Sequence, residues 1–340
     1  MTGLNTGLKT ICTGLLAMGI VLVLTCCTKK STAQTSAVDL NLDVKTPLRF
    51  VVYGDTRFHD PADTKAANPT ARVDLVRAIA EANAAFICIT GDIVYNGNDS
   101  DDWKIWDMET RAWREKRIPV YPALGNHDLH GDPAVALGNY FQRFPDLKAS
   151  RYYSLRAGNT LFLTLDSSQP ETTGPQGDWL KAKLDHVPGD VDFVLLVFHH
   201  PPYTSSSDTN KEARGGGHSA RSQEQALAKL LEERQAHSRY RIVVFNGHVH
   251  NYEHHAHGGV EYFVSGGGAA HPYMIDRAPD DLFKSDQVNF HYLTVDVNHQ
   301  QLTVTMNRLD LSTGKALWTQ PDLVKISNSA AVAAQAAAGH

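Results

Sequence analysis

Four apolar runs in this 340-residue chain each stop at a glycine beside a side chain able to bind a metal ion. They are FVVY before Gly54-Asp55, FICIT before Gly91-Asp92, VYPAL before Gly125-Asn126, and RIVVF before Asn246-Gly247-His248. Glycine permits the sharp exit and close backbone approach that a crowded site requires. A fifth run, FVLLVF, leads directly into His199-His200-Pro201-Pro202-Tyr203. With His250 added, these stretches offer two carboxylates, one amide oxygen and three imidazoles: Asp55, Asp92, Asn126, His199, His248 and His250. A mixed oxygen and nitrogen set suits first-row metals and is too rich in histidine for calcium. Six ligands exceed one tetrahedral site, so two ions sharing a bridging carboxylate fit better. Where the backbone turns, His248 and His250 can reach two neighbouring ions.

The elements that must position these residues follow from the hydrophobic period. From Leu48 on, apolar runs of strand length alternate with amphipathic segments of helix length. Strands are expected at 48–53, 86–90, 118–124, 160–165, 193–198, 241–245, 260–265, 290–297 and 301–306. Helices are expected at 70–84, 102–116, 134–144, 176–186 and 219–236. Early strand–helix alternation and closely spaced late strands predict an α/β fold of two stacked mixed β-sheets flanked by helices, in one domain over 47–312. Ligands of open α/β sheets gather outside the C-terminal ends of strands, where the glycine-flanked residues fall. Trp103, Trp106 and Trp113 share one broad helix face and read as core.

The composition, 42% hydrophobic and 20% charged, is that of a globular protein. A net charge of -5 argues against nucleic-acid binding through a basic face. A phosphate-bearing substrate would instead need local positive charge such as a metal ion.

Lys9 precedes ICTGLLAMGIVLVL, which is short for a membrane span and suits a signal-peptide core. The Leu24-Thr25-Cys26-Cys27 end looks like a bacterial lipoprotein signal, with Cys26 or Cys27 lipidated. Residues 1–27 are thus expected to be a lipoprotein-type signal, 28–46 a polar tether, and 313–340 a C-terminal extension with an Ala-rich tail. Lipid anchoring, plain secretion and an uncleaved anchor all place the body outside the cytoplasm: periplasmic, cell-surface or secreted. The membrane is met only through the N-terminal anchor. Cys88, in AFICIT, remains as a buried structural thiol, and no disulfide is expected within the domain.

In chain order, Gly54-Asp55, Gly91-Asp92-Ile93-Val94-Tyr95, Gly125-Asn126-His127-Asp128, His199 with Pro201 and Tyr203, and Gly247-His248-Val249-His250 resemble the motifs of calcineurin-like metallophosphoesterases. Tyr95 makes the chain most similar to the purple acid phosphatase branch, and the resemblance runs from residue 48 to about 310. It implies a four-layer αββα sandwich. It implies one metal held by Asp55, Asp92, Tyr95 and His250, and a second held by Asp92, Asn126, His199 and His248, with Asp92 bridging. Fe, Zn and Mn all accept such a set. His127 is then expected to approach the phosphate, stabilising the transition state or protonating the leaving oxygen. The implied reaction is hydrolysis of phosphate monoesters on a small phosphorylated substrate, by attack of a metal-bound hydroxide. No serine or cysteine nucleophile is needed.

The chain departs from the pattern at Arg57, where many relatives have histidine. A guanidinium cannot ligate a metal, so Tyr95 must fill the vacancy. Arg57 either grips a phosphate oxygen or pairs with an acid. After the GHVH motif, Tyr252-Glu253-His254 stands where the branch commonly has Tyr-Glu-Arg. Asp128 is expected to orient His127 by a hydrogen bond, and His200 to orient a ligand or touch substrate. The polar stretch 204–218 reads as a mobile rim from which His218 reaches substrate. His254, His255 and His257 read as solvated or as support for the ligands. Two alternatives stay open: a phosphodiesterase or nucleotidase on the same metals, and a non-catalytic surface binding protein with a relic site.

Overall fold

Neighbouring residues of one strand feed different cores, as a sheet buried on both faces requires. Phe50 and Val52 join a cluster with Leu195, Val197, Val243, Phe245, Leu293 and Val295. Val51 and Tyr53 join a second, with Leu75, Ile79, Trp103, Trp106 and Trp113. Val194, Leu196, Ile242 and Val244 form a third with Leu180, Leu184, Leu227 and Leu231. The first cluster lies between two sheets and the others lie beneath helices. The layers therefore run helix, sheet, sheet, helix.

The computed structural model describes residues 37–207 and 218–328, except 273, 286 and 288. The expected signal over 1–27, part of the rim loop and the Ala-rich tail lie outside the described residues. In chain order the elements begin with β1 (Val38–Leu42), β2 (Leu48–Tyr53), α1 (Pro69–Ala80), β3 (Ile87–Ile89), α2 (Ser100–Glu109), α3 (Arg111–Glu115) and β4 (Val120–Pro122). There follow α4 (Pro133–Arg143), β5 (Tyr153–Ala157), β6 (Thr160–Thr164), α5 (Gly174–Asp185), β7 (Phe193–Val197) and α6 (Ser222–Gln235). The rest are β8 (Arg241–Asn246), β9 (Tyr252–His257), β10 (Val260–Ser265), β11 (Phe290–Val297), β12 (Gln301–Asp310), β13 (Leu317–Thr319) and β14 (Leu323–Ser327).

One seven-stranded sheet has the order β1-β5-β6-β7-β8-β10-β9; the other runs β13-β12-β11-β2-β3-β4, with β14 also on β12. β2, β3 and β4 are mutually parallel, and so are β6, β7, β8 and β10. Within each set the C-terminal ends emerge together, which gathers the residues that follow them. Among the described residues no helix is long and apolar enough to cross a membrane.

The expected tether ends earlier than the composition suggested. From Val38 the chain is already an edge strand paired with β5, because Val38, Leu40 and Leu42 alternate with polar residues and pack inward. The expected C-terminal extension likewise adds β13 and β14 to the sheet through β12. The expected helix over 102–116 is split at Thr110, whose hydroxyl donates back to the Trp106 carbonyl at 2.6 Å. The tryptophan stripe is core: the indoles of Trp103 and Trp113 are buried and donate to the Gly97 and Val76 carbonyls.

Candidate metal centre

β2 and β3 end side by side, and the turns beyond them continue to pair. Asp55 N donates to Gly91 O, and Thr56 N and Arg57 N donate to Asp92 O, each at 3.0 Å. Asp55, Arg57, Asp92 and His248 are held in left-handed backbone, with φ of 55°, 43°, 54° and 70°. For a non-glycine residue that costs roughly 1–3 kcal/mol, and it persists only where the surroundings enforce it. Gly91 lets this crowding close: a Cβ there would lie 2.7 Å from His199 Nδ1 and 2.8 Å from Gly125 Cα. At Gly125 a Cβ would fall on the amide and carboxylate of Asp92.

The donor atoms converge. Asp92 Oδ1 is 3.4 Å from His199 Nε2. Asn126 Oδ1 is 3.0 Å from His199 Nε2 and 3.2 Å from His248 Nδ1, and those nitrogens are 3.2 Å apart. His250 Nε2 faces Asp55 Oδ1 at 3.7 Å. Ligands held about 2.0–2.2 Å from one cation stand about 3–3.6 Å from each other, so these spacings fit metal ions. Carbonyl oxygens behind the rings set their tautomers, since a carbonyl only accepts. His199 Nδ1 donates to Thr90 O at 3.0 Å, and His250 Nδ1 donates to His271 O at 2.9 Å. Each ring then presents the lone pair of Nε2 to the site.

Electrostatics favour the same occupant. Burial lowers the pKa of His199, His248 and His250, which keeps them neutral and able to ligate. Burial, and then the charge of Asp92, push Asp55 well above the usual carboxylate range. Burial also works against the Asp92 carboxylate, but His199, His127 and Arg57 outweigh it and hold the group well below that range. Two fully buried carboxylates beside neutral imidazoles form a donor set that a cation completes.

His127 enters from the turn after β4. Its amide donates to Asp92 Oδ1 at 2.8 Å, its Nδ1 donates to the Tyr95 carbonyl at 2.6 Å, and its Nε2 lies 4.0 Å from Asp92 Oδ2. Burial pushes its pKa down to about 4, against the pull of Asp92. Asp128 does not orient this ring, contrary to expectation. It points into the protein, where Oδ1 accepts from Ile93 N and Val94 N and Oδ2 accepts from Gly125 N. The carboxylate thus clamps the loop bearing Asp92 to the loop bearing Asn126.

Of the remaining candidates, Arg57 pairs with Asp92, Nη2 to Oδ2 at 3.4 Å. The rings of His200 and His218 stand 4.3 and 4.1 Å from that of His248, and Ser167 Oγ bonds His200 Nδ1 at 2.8 Å. Tyr95 is 37% exposed, its ring between those of His59 and His127 at 4.9 and 5.4 Å. His254 and His255 are buried on β9 rather than solvated.

The composition of the motifs gave no sign of three supporting carbonyls, at Thr90, Tyr95 and His271. It did carry a further signal. The run Gly266-Gly267-Gly268 follows β10, and a Cβ at Gly266 would lie 3.0 Å from Asp55 Oδ2. Gly268 N also donates to Gly54 O at 2.9 Å.

Two stacked sheets thus bring aspartate, asparagine and histidine together at adjoining strand ends as a donor set for metal ions. A family model described as calcineurin-like phosphoesterase matches residues 48–252, and the chain belongs to that family. Over 268 residues it is 25% identical to purple acid phosphatase 15 of Arabidopsis thaliana, covering 69% of this chain and 47% of that protein. A purple acid phosphatase from yellow lupin (Lupinus luteus) seeds shares the fold at a TM-score of 0.61 and 17% identity, over 83% of this chain and 54% of that one. A dimetal phosphatase from Danio rerio does so at 0.52 and 14%, over 83% of this chain and 99% of that one. The chain spans 36%, 47% and 45% of the length of three curated relatives that it matches.

Proposed function

We propose that the chain hydrolyses phosphate monoesters with two metal ions, drawn from Fe, Zn and Mn. Asp55, Asp92, Tyr95 and His250 would hold one ion, and Asp92, Asn126, His199 and His248 the other. Bound there, the ions supply Lewis acidity and lower the pKa of water. The observation that carries this reading is the convergence of Asn126 Oδ1, His199 Nε2 and His248 Nδ1 within 3.2 Å of one another, next to Asp92.

The protein's own groups divide the remaining work. His127 has its Nδ1 proton committed to the Tyr95 carbonyl, so its Nε2 faces outward with a lone pair and would donate to the leaving oxygen only once the ring is protonated. His200 and His218, whose rings flank that of His248 at 4.3 and 4.1 Å, would meet a bound phosphate. Residues 1–27 would export the protein and attach it to lipid at Cys26 or Cys27. Incorporation of labelled palmitate, lost when the lipidated cysteine is replaced, checks that part.

The substrate test compares turnover of p-nitrophenyl phosphate and bis(p-nitrophenyl) phosphate by the metal-loaded protein. The monoester should win by at least tenfold in kcat/KM. A diester preference replaces the proposal with a phosphodiesterase, and absence of turnover on both supports a binding protein.

A further inference from the structure

We propose that β9 carries a separate, single-ion site, formed by His255, His257 and Asp280 and suited to a zinc-type divalent cation. His255 and His257 are two positions apart on the strand, so both rings fall on one face, 6.3 Å between centroids and 22° between planes. Asp280 meets them from another segment. Its Oδ2 stands 3.1 Å from His257 Nε2 and 3.6 Å from His255 Nδ1. Those separations bracket the edge of a tetrahedron, about 3.4 Å for ligand bonds near 2.1 Å.

His255 is already oriented for ligation. Its Nε2 lies 3.3 Å from Glu253 Oε2, and that carboxylate also accepts from Thr204 Oγ1 and Ser205 N. Burial lowers the pKa of His255, but Glu253, Asp281 and Asp280 outweigh it and raise the value, so a cation there would displace a proton. In the neutral ring, with the Nε2 proton donated to Glu253, the lone pair on Nδ1 faces Asp280. This Nδ1 is buried, on a residue 1% exposed, and has no hydrogen-bond partner among the described residues. The 3.6 Å gap to Asp280 is too long for a direct bond and suits an ion between them. A carboxylate behind the far nitrogen is the usual support of a histidine that binds metal. Two imidazoles and one carboxylate favour zinc and its transition-metal neighbours over magnesium or calcium.

The ion would act as a clasp. It would join β9 to the segment at Asp280 and, through Glu253, to Thr204 and Ser205 at the root of the loop over 204–218. Tyr203 reinforces that corner, stacking on His257 at 4.0 Å and bonding Glu232. None of these residues belongs to the paired-ion centre.

The test counts zinc per chain by mass spectrometry after dialysis of the full-length protein in zinc-buffered solution. His257→Gln and Asp280→Asn change partly exposed side chains, and each should bind one ion fewer than the unaltered protein. Asp92→Asn should lose zinc at the paired centre and retain the ion on β9, which separates failure of one site from failure of the other. Added zinc should raise the melting temperature of Asp92→Asn but not of Asp92→Asn with His257→Gln. An unchanged zinc count in both His257→Gln and Asp280→Asn overturns the proposal.

Discussion

The backbone amide of His248 donates to both carboxylate oxygens of Asp55, at 3.1 and 2.9 Å, across 193 positions of sequence. The contact joins the end of β8 in one sheet to the end of β2 in the other. The metal centre therefore straddles the seam of the sandwich, and its geometry depends on both sheets holding their relative position.

A methyl group at the seam should be felt at once. Gly125→Ala places a Cβ on Asp92, and a displacement near 1 Å costs roughly 100-fold in turnover. Gly138→Ala is the control: it lies within α4 with nothing inside 4 Å of the added Cβ. It should stabilise the protein by about 0.5–1 kcal/mol and leave activity alone. Steady-state kinetics and thermal melts of the two variants decide the matter; equal activity in both would count against the crowding at Asp92.

Asp128→Ala removes the acceptor of three amides, those of Ile93, Val94 and Gly125. Each buried donor left without a partner costs about 1–3 kcal/mol. The melting temperature should fall by at least roughly 6 °C, and metal affinity should fall with it. The acid limb of the pH–rate profile should stay in place, because the Tyr95 carbonyl holds the His127 ring. A shifted profile with unchanged melting would return Asp128 to the role of orienting that ring.

If Tyr95 is a ligand as proposed, it should set the colour of the iron-loaded protein. Phenolate ligation to ferric iron should produce a visible charge-transfer band, abolished in Tyr95→Phe. A colourless iron-loaded protein, or a band untouched by the substitution, removes Tyr95 from the ligands.

His291 supplies a pH dependence of a different origin. Burial lowers its pKa from 6.5 to about 4, partly opposed by its bond to the Asn289 carbonyl. A histidine depressed in the folded state takes its proton first on unfolding. Its contribution is fully present above pH 6.5 and is lost as pH falls toward 4. Between pH 7.5 and 5 this amounts to about 2 kcal/mol. Urea titrations of chelator-treated protein at those two pH values should show the loss, and His291→Asn should reduce it. An equal loss in both proteins would assign the dependence to other groups.

The glycine-then-donor positions were legible in the chain because both ingredients are local: an apolar run that must be buried, and a residue beyond it that permits a sharp exit. The strands expected at 48–53, 260–265 and 290–297 occur with those bounds for the same reason. β9 was not legible. Its YEHHAH sequence lacks apolar alternation, and it is a strand because β10 supplies the backbone partners while carboxylates from elsewhere meet its histidines. Asp128 was assigned to the wrong partner because the direction of a short side chain depends on the turn that carries it.

The amino-acid order alone determined which side chains can take part in the chemistry, through the types and spacing of aspartate, asparagine and histidine at strand ends. Only the tertiary structure decided which atoms face one another. The left-handed backbone at Asp55, Asp92 and His248, and the carbonyls behind His199 and His250, arise where distant loops meet. The bonds of His199 to Thr90 and of His248 to Asp55 cross the seam between two sheets, and no local pattern in the chain specifies their geometry.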